Sequence, residues 1–436
     1  MQPITHARVM RVAVPIVLAN VTVPLLGAVD TAVVGQMGLP APIGAVGIGA
    51  IILASVYWIF GFLRMGTTGL TAQAVGANNP AEVTAILLRA LLIGAAAGVF
   101  FILVQIPLFA GALWLSPGSE AVETLAQSYL HIRIWGAPAT IALYAVTGWL
   151  IATERTRAVL ILQLWINGVN ITLDLWFVLG LGWGVQGVAI ATLIAEWTGL
   201  AYGLWLCRSA FGAALAPGLA RLRDAAALRH MAVVNGDIMI RSILLQISFT
   251  SFLFLGAGQG DVTLAANQVL MQFLTIAAFF LDGFAFAAEA LVGQAVGARS
   301  VTATRRASIV STQWGAGAVA CLSLVYLAAG PALIDLMTTA PQVRLMAREF
   351  LPWLVAAPII GVWAWMLDGI FIGATLARVM RQTMLLSVIA YGIALLVLVP
   401  LWGNHGLWAA LMVLNITRGI SMGLKWQLVE GKARGA

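Results

Sequence analysis

Twelve apolar segments separated by short polar connections constrain the fold of this chain more than any other feature. A helix that crosses a bilayer needs about 20 mainly apolar residues. The 436 residues are 61% hydrophobic and only 9% charged, whereas a soluble domain devotes about a quarter of its residues to charge. The sequence therefore predicts an all-α, multi-pass membrane protein. The predicted spans are residues 9–35, 43–70, 84–110, 130–152, 158–180, 186–207, 231–256, 263–296, 306–330, 350–374, 384–402 and 405–427.

The charges in the connections predict how the chain crosses the membrane. Arginine is concentrated in the even-numbered connections and near both termini, whereas the odd-numbered connections are mostly neutral or acidic. The positive-inside rule then predicts that both termini lie in the cytoplasm, in a bacterial-type cytoplasmic (inner) membrane. Because the net charge of +7 comes largely from these short connections, we expect no nucleic-acid partner. The arginines of the even-numbered connections are Arg155, Arg157, Arg208, Arg221, Arg223, Arg229, Arg299, Arg305, Arg306, Arg378 and Arg381.

The second half of the chain repeats the first at an offset of about 220 residues. One match alone is weak evidence, but four in the same order at one offset indicate an internal duplication. The matching segments are residues 71–77 with 292–298, Ala137-Pro138 with Ala357-Pro358, residues 148–152 with 369–373, and Trp183-Gly184 with Trp402-Gly403.

This duplication predicts the domain organisation. Six helices in each half start both copies on the same side of the membrane, so we expect two pseudo-symmetric lobes related by an axis along the membrane normal. The lobes comprise residues 1–212 and 229–436. Residues 213–228, which are basic and contain proline and glycine, form the cytoplasmic linker between them.

No motif of a known catalytic site occurs in the sequence. GxSxG, HExxH and the P-loop lysine motif are all absent, and the four histidines are scattered near helix ends. We therefore predict that the protein is not an enzyme and holds no metal or organic cofactor. Without an ATP site, uphill transport must be driven by an ion gradient.

Asp30 is the first candidate for coupling to such a gradient. It lies deep in the first apolar segment, where a charged side chain costs roughly 2.5–3.5 kcal/mol on insertion scales and is rarely idle. Burial favours the neutral form of a carboxyl group, so this one can bind and release a proton. Pro15 removes one backbone hydrogen bond from the same helix and predicts a bend there. The alternative is a structural carboxylate that neighbouring helices satisfy.

Asn170 and Asp174 are the second candidates. They are four residues apart, and so share one face of the fifth predicted helix. The amide and a hydroxyl such as that of Thr192 on the next helix can hold the carboxylate. The same polar groups can also serve only to bind helices together.

The second half carries its own set of charged residues at membrane depth. Asp237 and Arg241 are four residues apart, which predicts either an internal ion pair or a working site. Asp282, Glu289 and Asp368 follow on later helices. Each is open to a structural or a functional interpretation.

Several motifs together resemble the MATE (multidrug and toxic-compound extrusion) transporters, and within them the DinF branch. The similarity extends over essentially the whole chain. The segments that carry it are Pro15 with residues 28–35, residues 170–174, residues 235–241, residues 281–289 and residues 368–375.

The resemblance implies twelve helices in two lobes that form a V around a central cavity. It implies export of organic, often cationic compounds in exchange for protons or sodium ions. Asp30 matches the principal protonation site of proton-driven members. Asn170, Asp174 and Thr192 match the rest of its network, and Pro15 matches the point where the first helix bends.

Two further correspondences concern single positions. Some members bind a cation in the C-terminal lobe, where Asp368 and Asp237 match. A tyrosine often found one turn before the helix-one aspartate is Leu26 here, so one hydrogen bond of the family's network is missing.

The sequence is therefore interpreted as a proton-coupled efflux antiporter. We expect a monomer whose partners are a small organic substrate and membrane lipid. Sodium coupling is the nearest alternative, since carboxylate, amide and hydroxyl oxygens also bind hard cations. A flippase of a lipid-linked precursor is another, although it would need an arginine-rich cavity and only Arg64 and Arg241 are predicted to lie deep. An ion channel or a membrane-embedded enzyme fits less well.

Overall fold

The fold of the chain is entirely helical in the part that the structure describes. The computed structural model describes residues 2–37, 39–115 and 119–435, apart from the side chains of residues 24–26, 28, 31 and 115. Leu26 is therefore outside the described side chains. The α-helices are α1 (His6–Gly35), α2 (Pro40–Ile59), α3 (Gly61–Gly76), α4 (Pro80–Leu103), α5 (Gln105–Leu115), α6 (Glu120–Arg133), α7 (Ala137–Ala152), α8 (Thr156–Asp174), α9 (Gly184–Leu206), α10 (Leu215–Ala220), α11 (Ala225–Ala257), α12 (Asp261–Gly297), α13 (Val301–Met337), α14 (Pro341–Gly373), α15 (Ala377–Trp402), α16 (Asn404–Gly423) and α17 (Trp426–Arg434).

Within the described residues, twelve helical stretches are long and apolar enough to cross a membrane, which confirms the predicted number. Eight are single α-helices. The other four join consecutive helices: α2 with α3, α6 with α7, α8 with a π-helix at residues 175–180, and α16 with α17. Length and apolar composition fixed this count because a bilayer of about 30 Å demands about 20 residues per crossing.

Several spans differ from their predicted bounds by seven residues or more at one end, and the third and fourth show two kinds of difference. The third was predicted to end at residue 110, but α4 ends at Leu103 and the apolar helix α5 follows separately. The fourth was predicted to start at residue 130, but α6 begins at Glu120, where the Ser119 hydroxyl caps the helix by accepting from the Val122 amide at 3.4 Å. The first turns of α6 are amphipathic rather than apolar, so a hydropathy criterion overlooks them.

The chain forms two compact units. One runs from Leu18 to Arg229, and the other combines the segment that ends at Val17 with the segment that starts at His230. The division therefore falls inside α1, whereas the predicted first lobe included the whole of that helix. α1 stays helical through Pro15, two residues before this division.

Contacts within each unit explain the assignment. The guanidinium of Arg8 donates to Gln294 Oε1 at 3.0 Å, which fastens the start of α1 to α12. In the other unit, the predicted linker contains α10, which packs on α4, and Arg89 of α4 donates to the Arg221 carbonyl just beyond it. The stretch predicted as a linker is thus partly a docked helix.

The backbone confirms the internal duplication. Asn78 and Arg299 both have a φ of +53°, and they are separated by 221 residues (299 minus 78). Glu154 and Thr375 show the same left-handed φ at the same separation. These four non-glycine residues, all in the left-handed region of φ, form two equivalent pairs. Corresponding helices in the two halves therefore end with the same turn.

Small residues allow the same close helix contact in both halves. A Cβ added at Gly148 would lie 2.5 Å from the Arg64 carbonyl oxygen, and one at Gly369 would lie 2.4 Å from the Ala285 carbonyl oxygen. Only glycine permits this approach, so α7 packs on α3 as α14 packs on α12.

Candidate functional site

α1, α8 and α9 bring the four predicted residues of the first unit together around one amide group. The Asn170 side-chain oxygen accepts from Thr192 Oγ1 at 2.9 Å. Its nitrogen donates to Asp30 Oδ1 at 3.1 Å and to Asp174 Oδ2 at 3.0 Å. Asp174 and Asn170 are fully buried, and Asp30 is partly buried. One amide therefore links all three helices.

Asp30 and Asp174 lie side by side, because the one Asn170 nitrogen donates to both carboxyl groups. Two ionised carboxylates held this close repel each other, so a proton on one of the two groups stabilises the pair. Two carboxyl groups in contact behave as one coupled acid whose protons belong to the pair. The arrangement can therefore hold and release a proton.

A polar stripe on α8 places these groups toward α1. Gln163 and Asn167 precede Asn170 and Asp174 at helical spacing, so the four side chains share one face. Gln163 donates to Asn167 Oδ1 at 2.9 Å, and Asn167 donates to the Thr22 carbonyl of α1 at 3.1 Å. The stripe ends at Asp174, the last residue of α8, and residues 175–180 continue the chain as a π-helix. Such wide turns occur often at functional sites.

A buried ion pair stands beside the carboxyl pair. Arg133, at the end of α6, donates to both Glu196 oxygens, at 2.6 and 2.9 Å, and Tyr129 is hydrogen-bonded to the same guanidinium. Glu196 lies one turn after Thr192 on α9. The positive charge of Arg133 acts on Asp30 and Asp174 alike.

The close approach of this ion pair depends on Gly136. A Cβ at that position would lie 2.1 Å from Glu196 Oε2, which is far inside van der Waals contact. Arg133 was not among the predicted site residues because the span was predicted to begin at residue 130, which put Arg133 at its boundary. The ten additional helical residues at its start move Arg133 into the interior of the unit.

The charged residues of the second unit pair differently from the prediction. Arg241 and Arg418 both donate to Asp368 Oδ2, and Arg381 donates to Asp237 Oδ1. The predicted pairing of Asp237 with Arg241 on one helix is thus replaced by contacts to other helices. Asp368 is 127 residues from Arg241, and Arg381 is 144 residues from Asp237. The i, i+4 rule relates only neighbours on one helix, so it does not reach these partners.

The two remaining candidates of this unit lie along α12. Glu289 is 1% exposed and Asp282 is partly buried, and both have partners within the protein. The Glu289 backbone carbonyl lies against Gly373, where a Cβ would come within 2.5 Å. These contacts bring α14, which carries Asp368, close to α12.

Arg64 and Arg241, the two arginines predicted to lie deep, are buried, and four other arginines are buried as well. Six arginines are at least nine-tenths buried, and each has a partner within the protein. In the contacts described, five of these arginines donate hydrogen bonds to carboxylate, amide or backbone carbonyl oxygens. The buried arginines are Arg8, Arg64, Arg89, Arg133, Arg241 and Arg418.

The described residues contain twelve helical stretches able to cross a membrane, in two homologous halves, with carboxyl, amide and hydroxyl groups buried between helices, and this is the architecture of a multi-pass membrane transporter. The MatE family model matches residues 15–176 and again residues 238–401, once in each half. The chain belongs to this family, the MATE multidrug and toxic-compound efflux transporters.

Relatives cover nearly the whole chain. It is 42% identical over 422 residues to DNA damage-inducible protein F of Escherichia coli K12, which covers 95% of this chain and 90% of that protein. It is 28% identical over 319 residues to the probable multidrug resistance protein NorM of Synechocystis, covering 69% and 66%. The bent form of the Vibrio cholerae MATE transporter VcmN superposes with a TM-score of 0.86 at 21% identity, covering 98% and 97%.

Proposed function

We propose that this chain is a proton-coupled antiporter that exports organic, often cationic and amphipathic, compounds by alternating access. The observation that carries the proposal is the pair of carboxyl groups, Asp30 and Asp174, that the Asn170 nitrogen holds side by side. Its proton can be exchanged with either side of the membrane as the site opens. The name of the NorM relative, a probable multidrug resistance protein, supports the efflux of drugs.

The Asn170 amide supports protons over sodium as the coupling ion. It presents N–H groups to both carboxyl groups, and these donors oppose a cation between the same oxygens. A sodium site needs oxygen ligands on all sides. In the proposed mechanism, Asn170 and Thr192 hold the pair, and Pro15 weakens α1 where it bends.

The arginine contacts argue against the two rival functions. A site for the phosphate of a lipid-linked precursor needs guanidinium groups that are not already committed, and the buried arginines have protein partners. Asp368 accepts hydrogen bonds from two guanidinium groups, and Asp237 accepts one from a third. A coupling cation would have to displace these guanidinium groups. We therefore assign the coupling ion to the first unit and give Asp237, Arg241, Asp282, Glu289 and Asp368 a structural role.

The proposal includes the setting of the protein. We propose a monomer in the cytoplasmic membrane with both termini in the cytoplasm, no cofactor apart from the coupling proton, and no nucleic-acid partner. The basic even-numbered connections support this orientation.

Transport in proteoliposomes tests the function. Purified protein is reconstituted, a pH gradient of one unit is imposed without sodium, and ethidium movement is followed by fluorescence. One proton exchanged per cation can sustain about a tenfold concentration ratio per pH unit. Asp30→Asn should abolish this movement, whereas Asp261→Asn, which removes an exposed carboxylate, should leave it intact.

Each other outcome has a definite meaning. Movement that requires a sodium gradient would contradict proton coupling and retain the antiporter. Undiminished transport by Asp30→Asn would remove Asp30 from the mechanism. An absence of gradient-driven transport for every organic cation tested would contradict the function itself.

A further inference from the structure

An exposed ladder of aromatic rings leads to an arginine near the start of α8 and the end of α9. Trp165 and Tyr202 have ring centroids 5.2 Å apart, and Tyr202 stacks on Trp205 at 5.6 Å with an interplanar angle of 13°. The guanidinium carbon of Arg208 then lies 4.1 Å from the centroid of the Trp205 ring. Trp165 and Trp205 are 45% and 53% exposed, so the ladder faces outward.

The ladder runs from the membrane interior toward the helix ends. Tyr202 and Trp205 lie in the last turns of α9, and Arg208 follows directly after it. Trp165 is nine residues beyond the start of α8, about 14 Å from that end at 1.5 Å per residue. The three rings therefore cover the depth at which acyl chains meet the headgroup layer.

Positive charge collects where the ladder ends. Arg155 donates to the Ser209 hydroxyl at 3.3 Å, and its charge also acts on Cys207, so it lies beside the segment that carries Arg208. Exposed Arg157 begins α8 at the same end. The single acidic neighbour in this turn, Glu154, has a partner within the protein. The end of the ladder is therefore strongly basic.

The stacking of Arg208 leaves its donors available to a ligand. A guanidinium group that lies over an aromatic ring contacts the ring with its own planar face. Its N–H groups lie in the guanidinium plane and point outward from the edge of that plane. The one hydrogen bond described for it, to the Trp205 carbonyl, is long at 3.4 Å. The indole thus orients a planar fork that suits two phosphate oxygens.

We propose that Arg155, Arg208 and the aromatic ladder form a binding site for the phosphate headgroup of an anionic phospholipid. The phosphate is held by the two arginines, and an acyl chain lies along Trp205, Tyr202 and Trp165. The predicted cytoplasmic position of this connection matches the leaflet surface whose negative potential attracts basic residues. The site lies at the start of α8, the helix that carries Asn170 and Asp174.

Native mass spectrometry of the full chain in detergent tests the site. Phosphatidylglycerol and phosphatidylcholine with the same acyl chains are added at equal concentration, and the first bound lipid is quantified. Each arginine near the surface contributes about 1 kcal/mol, or about fivefold in affinity. Arg208→Ala should lower phosphatidylglycerol binding about fivefold, and Arg155→Ala with Arg208→Ala about 30-fold. Phosphatidylcholine binding should change little.

Three controls keep the test decisive. Arg223→Ala removes an exposed arginine between α10 and α11 and should leave binding unchanged. Trp205→Leu keeps an apolar side chain but removes the stack, and should weaken binding by a few fold. Thermal unfolding confirms that each variant is folded, with Arg208→Lys as the milder change if the alanine variant is not. Equal retention of both lipids by the wild type, or undiminished phosphatidylglycerol binding by the double variant, would overturn the proposal.

Discussion

The buried pair of Arg133 and Glu196 gives the most quantitative prediction about the first unit. Both side chains are about nine-tenths buried, with 9% and 10% exposure, and the contact is bidentate. Removing one partner leaves the other charge buried and unpaired, which destabilises a protein by about 3–5 kcal/mol. Arg133→Met and Glu196→Leu should each show a loss of this size.

The double variant should behave differently from the sum of the single variants. Replacing a whole buried ion pair by apolar side chains of similar volume is often neutral or stabilising. Arg133→Met with Glu196→Leu should therefore recover most of the lost stability, with a coupling of about 2 kcal/mol or more. The Tyr129 hydroxyl then loses its arginine partner, so the recovery should be incomplete.

Unfolding in mixed detergent micelles, followed by tryptophan fluorescence, measures the four free energies of the cycle. The matched control is the exposed pair of Arg348 and Asp335, with side chains 41% and 36% exposed. An exposed pair contributes about 0–1 kcal/mol, so its cycle should show almost no coupling. The reasoning fails if the buried pair gives single-variant losses below about 1 kcal/mol, or a double variant no more stable than the worse single one.

Three further predictions concern single positions. Asp174→Asn keeps a side-chain oxygen for the hydrogen bond from Asn170, so stability should change by less than about 1 kcal/mol while pH-driven ethidium transport is lost; Asp174→Ala should also lower stability by about 1–3 kcal/mol in the same micelle assay. Gly136→Ala places a methyl group against Glu196 and should lower the thermal midpoint by the equivalent of about 1–3 kcal/mol, whereas Gly168→Ala, with open space around it, should not. Asp368→Asn leaves two guanidinium groups facing a neutral amide, so the thermal midpoint should fall by the equivalent of about 3 kcal/mol or more. An unchanged midpoint for Asp368→Asn would contradict the ion-pair assignment.

Features set by length and local spacing were predictable from the sequence. The twelve spans follow from the thickness of the bilayer, and the shared face of Asn170 and Asp174 follows from the pitch of a helix. The rarity of charge at membrane depth singled out Asp30. These rules need only neighbouring residues, and the structure indeed brings Asp30, Asn170, Asp174 and Thr192 together.

Features set by packing between distant helices were not predictable. The i, i+4 rule linked Asp237 to Arg241, but the partners found are Arg381 and Asp368, 144 and 127 residues away. Arg133 was placed at a membrane boundary because the amphipathic start of α6 carries no apolar signal. The division of α1 at Val17 lies inside a continuous apolar run, which offers no mark except Pro15 nearby.

The duplicated halves share a backbone but not their chemistry, and this difference supports the placement of the coupling site. The turns of the two halves correspond at a separation of 221 residues. At this separation, Asp368 is equivalent to Thr147 and Glu289 is equivalent to Thr68. The carboxylates of the second half therefore have no counterpart in the first. In the second half Asp368 is neutralised by fixed guanidinium charges, so its charge state is set by the protein. In the first half Arg133 is already paired with Glu196, and the carboxyl pair itself is held by a neutral amide and a hydroxyl. A proton is then the group that neutralises the pair, which is the basis of the proposed coupling to a proton gradient.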